Sequence, residues 1–350
     1  MHGKLAAGMA AMCLLAGVAI AAEPEAEIQE LETILVLGEQ PGPGLWKVSK
    51  GDHVMWVLAS HEPLPKGMSW RSQQVEARIA ESQEVLYPPG IDMDFGIGLF
   101  RGITLIPAAI KAAKIPDDKT LKDVLAPETY GKWLALRQKY IGKDDDVEKL
   151  RPSIALGTLR GEASRKHNLQ DGPNVRTVVD RAAKKHKVRV RRLPDVKRAV
   201  KVENPRGMLK GVNKLDLPDV ECFTRGLDQV EPEIERAKVR ANAWSRGDTE
   251  TLRSLHRVQQ FRDVCGYELM AAFNAGPSAD AARAKKLLAD IEWHVQQATV
   301  QAQQNWIAAA QASIAKNSST FAVLPVNAVF SPDGHLEKLR ALGYTVEAPH

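Results

Sequence analysis

An α/β fold is what this 350-residue sequence predicts: a mixed central β-sheet formed by N- and C-terminal strands, flanked by helices, with a large helical insertion. Three observations carry the prediction. Short apolar runs bounded by turn residues cluster at 45–58 and again after residue 320, whereas the residues between them repeat their apolar positions at helical spacing. Hydrophobic residues are 44% of the chain but aromatic ones only 5%, so Ala, Leu and Val supply most of the core, as a helix-rich domain would use them. Charged residues at 26% and a formal net charge of +5 exclude a disordered chain and fall short of the basic balance of a nucleic-acid binder.

Residues 1–21 read as a secretory signal peptide, because Lys4 precedes an apolar run from Leu5 to Ala22 that closes on Ala19-Ile20-Ala21, a small-x-small cleavage pattern. No later stretch reaches membrane-spanning length, so the expected product is periplasmic or secreted and has no transmembrane segment. Residues 22–43 form a linker, acidic from Glu23 to Glu32 and ending in Pro41-Gly42-Pro43-Gly44, which leads into a single domain at 44–349. Leu45 to Ser49 and Val54 to Leu58 flank Lys50-Gly51-Asp52-His53 and predict a hairpin. Ser69 then opens a helix whose Val75, Ile79 and Leu86 share a face, closed by Pro88-Pro89.

Further helices are predicted over Ile103 to Ile115 with a break at Pro107, Pro127 to Tyr140, Val147 to Leu169, and Thr177 to Lys187. Val188-Arg189-Val190-Arg191 alternates as a strand. The helical portion at about 220–315 holds Glu231 to Arg246, Asp248 to Phe273 and Ala279 to Ala315. Thr320 to Val329 predicts a strand, Gly334 to Leu342 a helix and Tyr344 to Glu347 a last strand.

Once Cys13 leaves with the signal, Cys222 and Cys265 remain, an even number in an oxidising compartment. One disulfide between them is expected, removing roughly 4 kcal/mol of unfolded-state entropy; two buried thiols are the alternative. No Cys-x-x-Cys, His-Glu-x-x-His, Gly-x-Ser-x-Gly or phosphate-binding glycine loop is present, so no cofactor is indicated by motif. His53 and His61 would lie about 27 Å apart on one strand, too far to share a metal. Trp244, Trp293 and Trp306, on helical segments, read as packing residues.

The densest charge runs from Lys184 to Lys201. There Lys187, Arg189 and Arg191 alternate with Val188 and Val190, and Arg192 follows, giving a basic patch on one strand face. Two readings stay open: an edge strand whose charges prevent unwanted pairing, or a dock for an acidic polymer or protein.

The segment Trp46 to Trp70, Ala241-x-Ala243-Trp244 followed by Gly247-Asp248, and the ending Phe321 to Pro349 with Asp333-Gly334-x-Leu336 and Gly343-Tyr344-x-Val346-Glu347 resemble the TraB/GumN family, itself similar to Tiki metalloproteases and erythromycin esterases. The resemblance implies that strands from the two ends of the chain lie together and bring two signature loops into one site. In the active branch each loop carries Gly-x-x-His, and the two His help hold a divalent metal. Here the first loop reads Ala59-Ser60-His61-Glu62, with Glu62 at the His position, and the second offers Asn327 or Ala328. A one-residue shift on a strand reverses the face a side chain leaves from, so His61 does not replace the ligand, and Glu62 is the single candidate for a divalent metal. The family's acidic residues on the next strand correspond to a region offering Glu84 and Tyr87, and its Arg-Asn pair to Ala302 to Trp306. Ser60, His61, Glu62 and Asn327 are therefore the candidate catalytic residues. The expectation is a catalytically degenerate binding or accessory protein in an envelope or polysaccharide context; the alternative is a metal-dependent peptidase or esterase with a rebuilt site.

Overall fold

The computed structural model describes residues 34–349 apart from 37, 62–63, 171, 173, 213–218 and 261–278. Signal-peptide residues 1–21, the acidic stretch to Glu32, Glu62 and Cys265 thus lie outside the described residues. The chain runs through β1 (Gly38–Gln40), β2 (Leu45–Lys50), β3 (His53–Ser60), β4 (Met68–Trp70), α1 (Gln73–Ala80), β5 (Glu84–Tyr87) and β6 (Ile91–Asp94). Helices α2 (Leu99–Ala112), α3 (Leu121–Val124), α4 (Pro127–Tyr140), α5 (Pro152–Lys166) and α6 (Val175–Lys185) follow, then β7 (Arg189–Arg192) and β8 (Val196–Ala199). The remainder is α7 (Pro205–Val212), α8 (Asp219–Leu227), α9 (Val230–Arg246), α10 (Thr249–Gln260), α11 (Ala279–Lys316), β9 (Ser319–Pro325), α12 (Val326–Phe330), α13 (His335–Ala341) and β10 (Thr345–Glu347).

The mixed α/β architecture is as expected, with strands from both ends of the chain in one sheet ordered β10-β2-β3-β9-β5-β7. Leu45 to Lys50 pairs antiparallel with His53 to Leu58, and Gly51 makes the turn at φ 59°, where a side chain would be strained. β3 then runs parallel to β9, from Val54 beside Ser319 to Ser60 beside Pro325, and β9, β5 and β7 continue the parallel set. Both faces of the parallel strands are covered, which is why β3 and β9 read as nearly continuous apolar runs. α1 and α6 pack on one face, as the cation-π contact of Arg78 with the Trp56 ring shows. α11 and α12 take the other, where Phe330 meets Trp46 edge-on at 5.8 Å.

A second hydrophobic cluster is wholly helical. Leu121, Trp133, Tyr140, Leu159, Phe223 and Ile234 are among its buried members, drawn from α3, α4, α5, α8 and α9. α9 joins the two clusters, because Val230 and Ile234 near its start belong to the helical one and Ala241 and Trp244 near its end to the sheet.

Local expectations fail where tertiary pairing overrides them. Leu86 lies not on the helix face of Val75 and Ile79 but in β5, since α1 ends at Ala80 and the Ser82 hydroxyl donates to the Arg78 carbonyl at 2.7 Å. The last long strand stops at Pro325 instead of reaching Val329, because Pro325 provides the fixed φ that opens α12. α2 continues through Pro107, and the predicted 147–169 helix divides at Pro152. Lys187 is not on the basic strand: it takes φ 58° in the turn after α6, and the strand begins at Arg189. β1 with β4, and β6 with β8, are pairs of short strands without a sequence signal of their own. Trp293 is 57% exposed and packs no core, unlike Trp244 and Trp306.

Candidate functional site

The carboxyl ends of parallel strands are where open α/β sheets place their sites. Here the alignment of Ser60 with Pro325 brings the two motif segments to the same end of the sheet, as the resemblance implied. The side chains there are committed elsewhere. Ser60 is buried and its hydroxyl donates to the Leu324 carbonyl at 3.3 Å, across the β3–β9 boundary. Trp244 donates its indole N–H to the Ala59 carbonyl at 2.6 Å, which anchors the end of β3 to α9. One helical turn earlier on α9, Arg240 acts on His61. Burial first, and then the Arg240 charge, push the His61 imidazole down to about 4.

At the second motif the chain has already turned into α12, leaving Asn327 exposed and the donorless Ala328 where a ligand would be sought. An imidazole does lie there, from outside the motif. His335, the first residue of α13, donates to the Ala328 carbonyl and packs edge-on against Trp306 at 5.1 Å. Burial pushes His335 down to about 4, against a smaller opposite effect of that carbonyl. The other ring nitrogen, Nδ1, and the Trp306 indole nitrogen find no hydrogen-bond partner.

Of the two residues where family acids were sought, Glu84 is 1% exposed and sits toward the amino ends of the parallel strands, remote from Ser60. It accepts from Ser313 and pairs with Arg189 and Arg191. Burial raises its pKa, but those partners together hold the carboxyl below the usual range. Tyr87 donates to Asp180 at 3.0 Å, Arg192 pairs with the same carboxylate at 2.6 Å, and burial raises the phenol pKa. Sequence reasoning missed Arg240, Asp180 and His335; the signal for Arg240 was its position four residues before Trp244.

Among the described residues, which leave out Glu62, the donor set does not fit the divalent metal that the resemblance implies. His61 faces a guanidinium, the Ser60 hydroxyl is used, and Ala328 offers nothing but a carbonyl already taken. No group of three or more His, Cys, Asp or Glu converges among the described residues. The basic patch is also largely paired within the molecule: Lys185 with Glu76, Arg189 and Arg191 with Glu84, Arg192 with Asp180. Cys222 is buried on α8 with the Arg225 guanidinium 3.9 Å from its sulfur.

The two depressed histidines make stability depend on pH. An unfolded imidazole titrates near 6.5, so on acidification the unfolded chain takes up protons that the folded chain refuses until about 4. The stabilisation is complete above pH 6.5 and is lost as pH falls through that window, on the order of 2 kcal/mol per histidine once partial solvent exposure is allowed for. Scanning calorimetry should show Tm falling between pH 6.5 and 4.5, ahead of the carboxylates, and His335→Gln should flatten that slope. A Tm flat across the window in the unsubstituted protein would refute the assignment.

No helix among the described residues is long and apolar enough to cross a membrane. No curated protein and no solved structure matches this chain. The family model for TraB/PrgY/gumN, by contrast, matches residues 44–348, which takes in the whole sheet and both motif segments. On that match the chain belongs to the TraB/PrgY/gumN family.

Proposed function

We propose that this chain is an exported member of the family that has given up metal-dependent hydrolysis and works by binding. The observation that carries the reading is the paired strand ends, where the register is right and the donors are wrong: Ser60 is consumed by Leu324, His61 faces Arg240, and Asn327 points outward from α12. Export is supported by the apolar leader ending in Ala19-Ile20-Ala21, and a Cys222–Cys265 disulfide accords with that compartment. The docking surface is the basic edge strand β7 with the preceding turn, and the partner is an acidic polymer or protein. Arg189 and Arg192 remain 62% and 59% exposed despite their intramolecular pairs, so they present charge to solvent along an open strand edge.

The test uses the leader-free chain, purified without chelator and titrated with manganese, cobalt and zinc while Tm is followed. No stoichiometric metal and no rise in Tm are expected, since a ligand that binds only the folded state must raise it. In parallel, binding to an anionic polysaccharide such as polygalacturonate should weaken about tenfold in the Lys184→Glu, Lys187→Glu variant. A metal-dependent rise in Tm that vanishes in Glu62→Ala would establish the competing hydrolase. That second reading draws on the placement of the segments holding Ser60, His61 and Asn327 at the same end of the adjacent strands β3 and β9, and under it His61→Ala or Glu62→Ala abolishes peptide or ester turnover.

A further inference from the structure

Exposed apolar side chains are concentrated in one short stretch. Of thirteen large hydrophobic residues that stand exposed among the described residues, five come from the twenty residues 91–110: Ile91, Phe95, Ile103, Ile106 and Ile110. The three on α2 are 55%, 52% and 54% exposed. At 100° per residue they fall within about 60° of arc, a ridge along one side of the helix. α2 packs elsewhere, against α7, where the Arg206 guanidinium donates to the Thr104 carbonyl at 3.0 Å.

Along α2 and its immediate flanks the charge has one sign, with Asp92 and Asp94 before this stretch and Asp117 and Asp118 after it. From Phe95 to Pro116 the sequence has no Asp or Glu, while it has Arg101, Lys111 and Lys114. Lys114 lies just past the end of α2, exposed, where the chain leaves the helix in a bridge with Leu150. A 14-residue helix is about 21 Å long, too short to cross a bilayer and long enough to lie in its interface. A convex aliphatic ridge without Trp, Tyr or a complementary groove is unlike the core of a protein interface. Isoleucines flanked by cations are what an interfacial helix needs: apolar side chains enter the acyl boundary while Lys stays at the headgroups.

We propose that α2 docks the protein peripherally on an anionic lipid bilayer, with Ile103, Ile106 and Ile110 inserted and Lys111 and Lys114 at the headgroups. The surface is separate from the paired strand ends and from β7, and does not depend on the function proposed for either.

The test is flotation of the leader-free chain, residues 22–350, which retains both hydrophobic clusters, with vesicles of phosphatidylglycerol and phosphatidylethanolamine or of phosphatidylcholine alone. Flotation with the anionic vesicles is expected, at least about tenfold above that with phosphatidylcholine at low salt. Ile106→Glu, Ile110→Glu should abolish it, and Lys111→Glu, Lys114→Glu should reduce it about tenfold on anionic vesicles. Circular dichroism should show both variants folded, because these side chains support no core. Ile106→Trp, which keeps the ridge apolar, should still float and should shift its emission to the blue on mixing with vesicles. Undiminished flotation of the Ile106→Glu, Ile110→Glu chain, or no blue shift in Ile106→Trp, would overturn the proposal. So would light scattering that shows a lipid-free dimer broken by Ile106→Glu, which would make the ridge an interface between two copies.

Discussion

Trp244→Ala is expected to destabilise the protein by about 3–5 kcal/mol, the usual cost of emptying a fully buried indole site. Trp244 is 1% exposed, meets Trp70 edge-on at 5.7 Å, and donates to the Ala59 carbonyl at 2.6 Å. It therefore fixes the carboxyl end of β3, from which Ser60 and His61 project, against α9. Trp244→Phe separates the two contributions: most of the packing survives while the Ala59 carbonyl loses its donor, so about 1–3 kcal/mol should be lost. Denaturant unfolding followed by circular dichroism reads both values. Equal stability of Trp244→Phe and the unsubstituted chain would show that the hydrogen bond contributes nothing.

In the helical cluster, Glu148→Ala is expected to cost about 2–3 kcal/mol, because Arg137 keeps its pair with Asp145. The Glu148 carboxylate accepts from the fully buried Trp133 indole at 2.7 Å and from Arg137 at 3.1 Å. Removing it leaves an indole N–H and a guanidinium that is 13% exposed without their shared acceptor. Glu148→Gln, which can still accept from Trp133, should lose about half as much. Because α9 contributes to both hydrophobic clusters, Trp244→Ala and Glu148→Ala should each lower a single cooperative thermal transition. Two separate transitions in calorimetry, only one of them moved by each variant, would show that the clusters unfold independently.

Much of the fold is legible in the sequence. The β2–β3 hairpin showed in two apolar runs around Lys50-Gly51-Asp52-His53, and the α4 and α9 helices in the helical patterns read at Pro127 to Tyr140 and Glu231 to Arg246. What failed was local too. Leu86 and Val329 carry the right hydrophobicity for the elements predicted, but their neighbours decide the conformation: Leu86 pairs beside Ala322 in the sheet, and the chain after Pro325 has no further strand pairing and winds into α12. The short strands β1, β4, β6 and β8 carry no periodicity long enough to read and are defined by their partners.

The same division governs the site. Family membership belongs to the sequence, and so do the identities of Ala59, Glu62, Asn327 and Ala328, the positions where the resemblance led motif residues to be sought. That β3 and β9 lie side by side, with Ser60 next to Pro325, was implied only by resemblance, because residues 265 positions apart meet through sheet pairing and not through spacing. The electrostatics of the site were decided by tertiary structure alone. A pKa is set by what lies within a few ångströms, so the neutrality of His61 beside Arg240, of His335 against Ala328, and the pairing of the β7 arginines with Glu84 and Asp180 follow from packing that no linear pattern encodes.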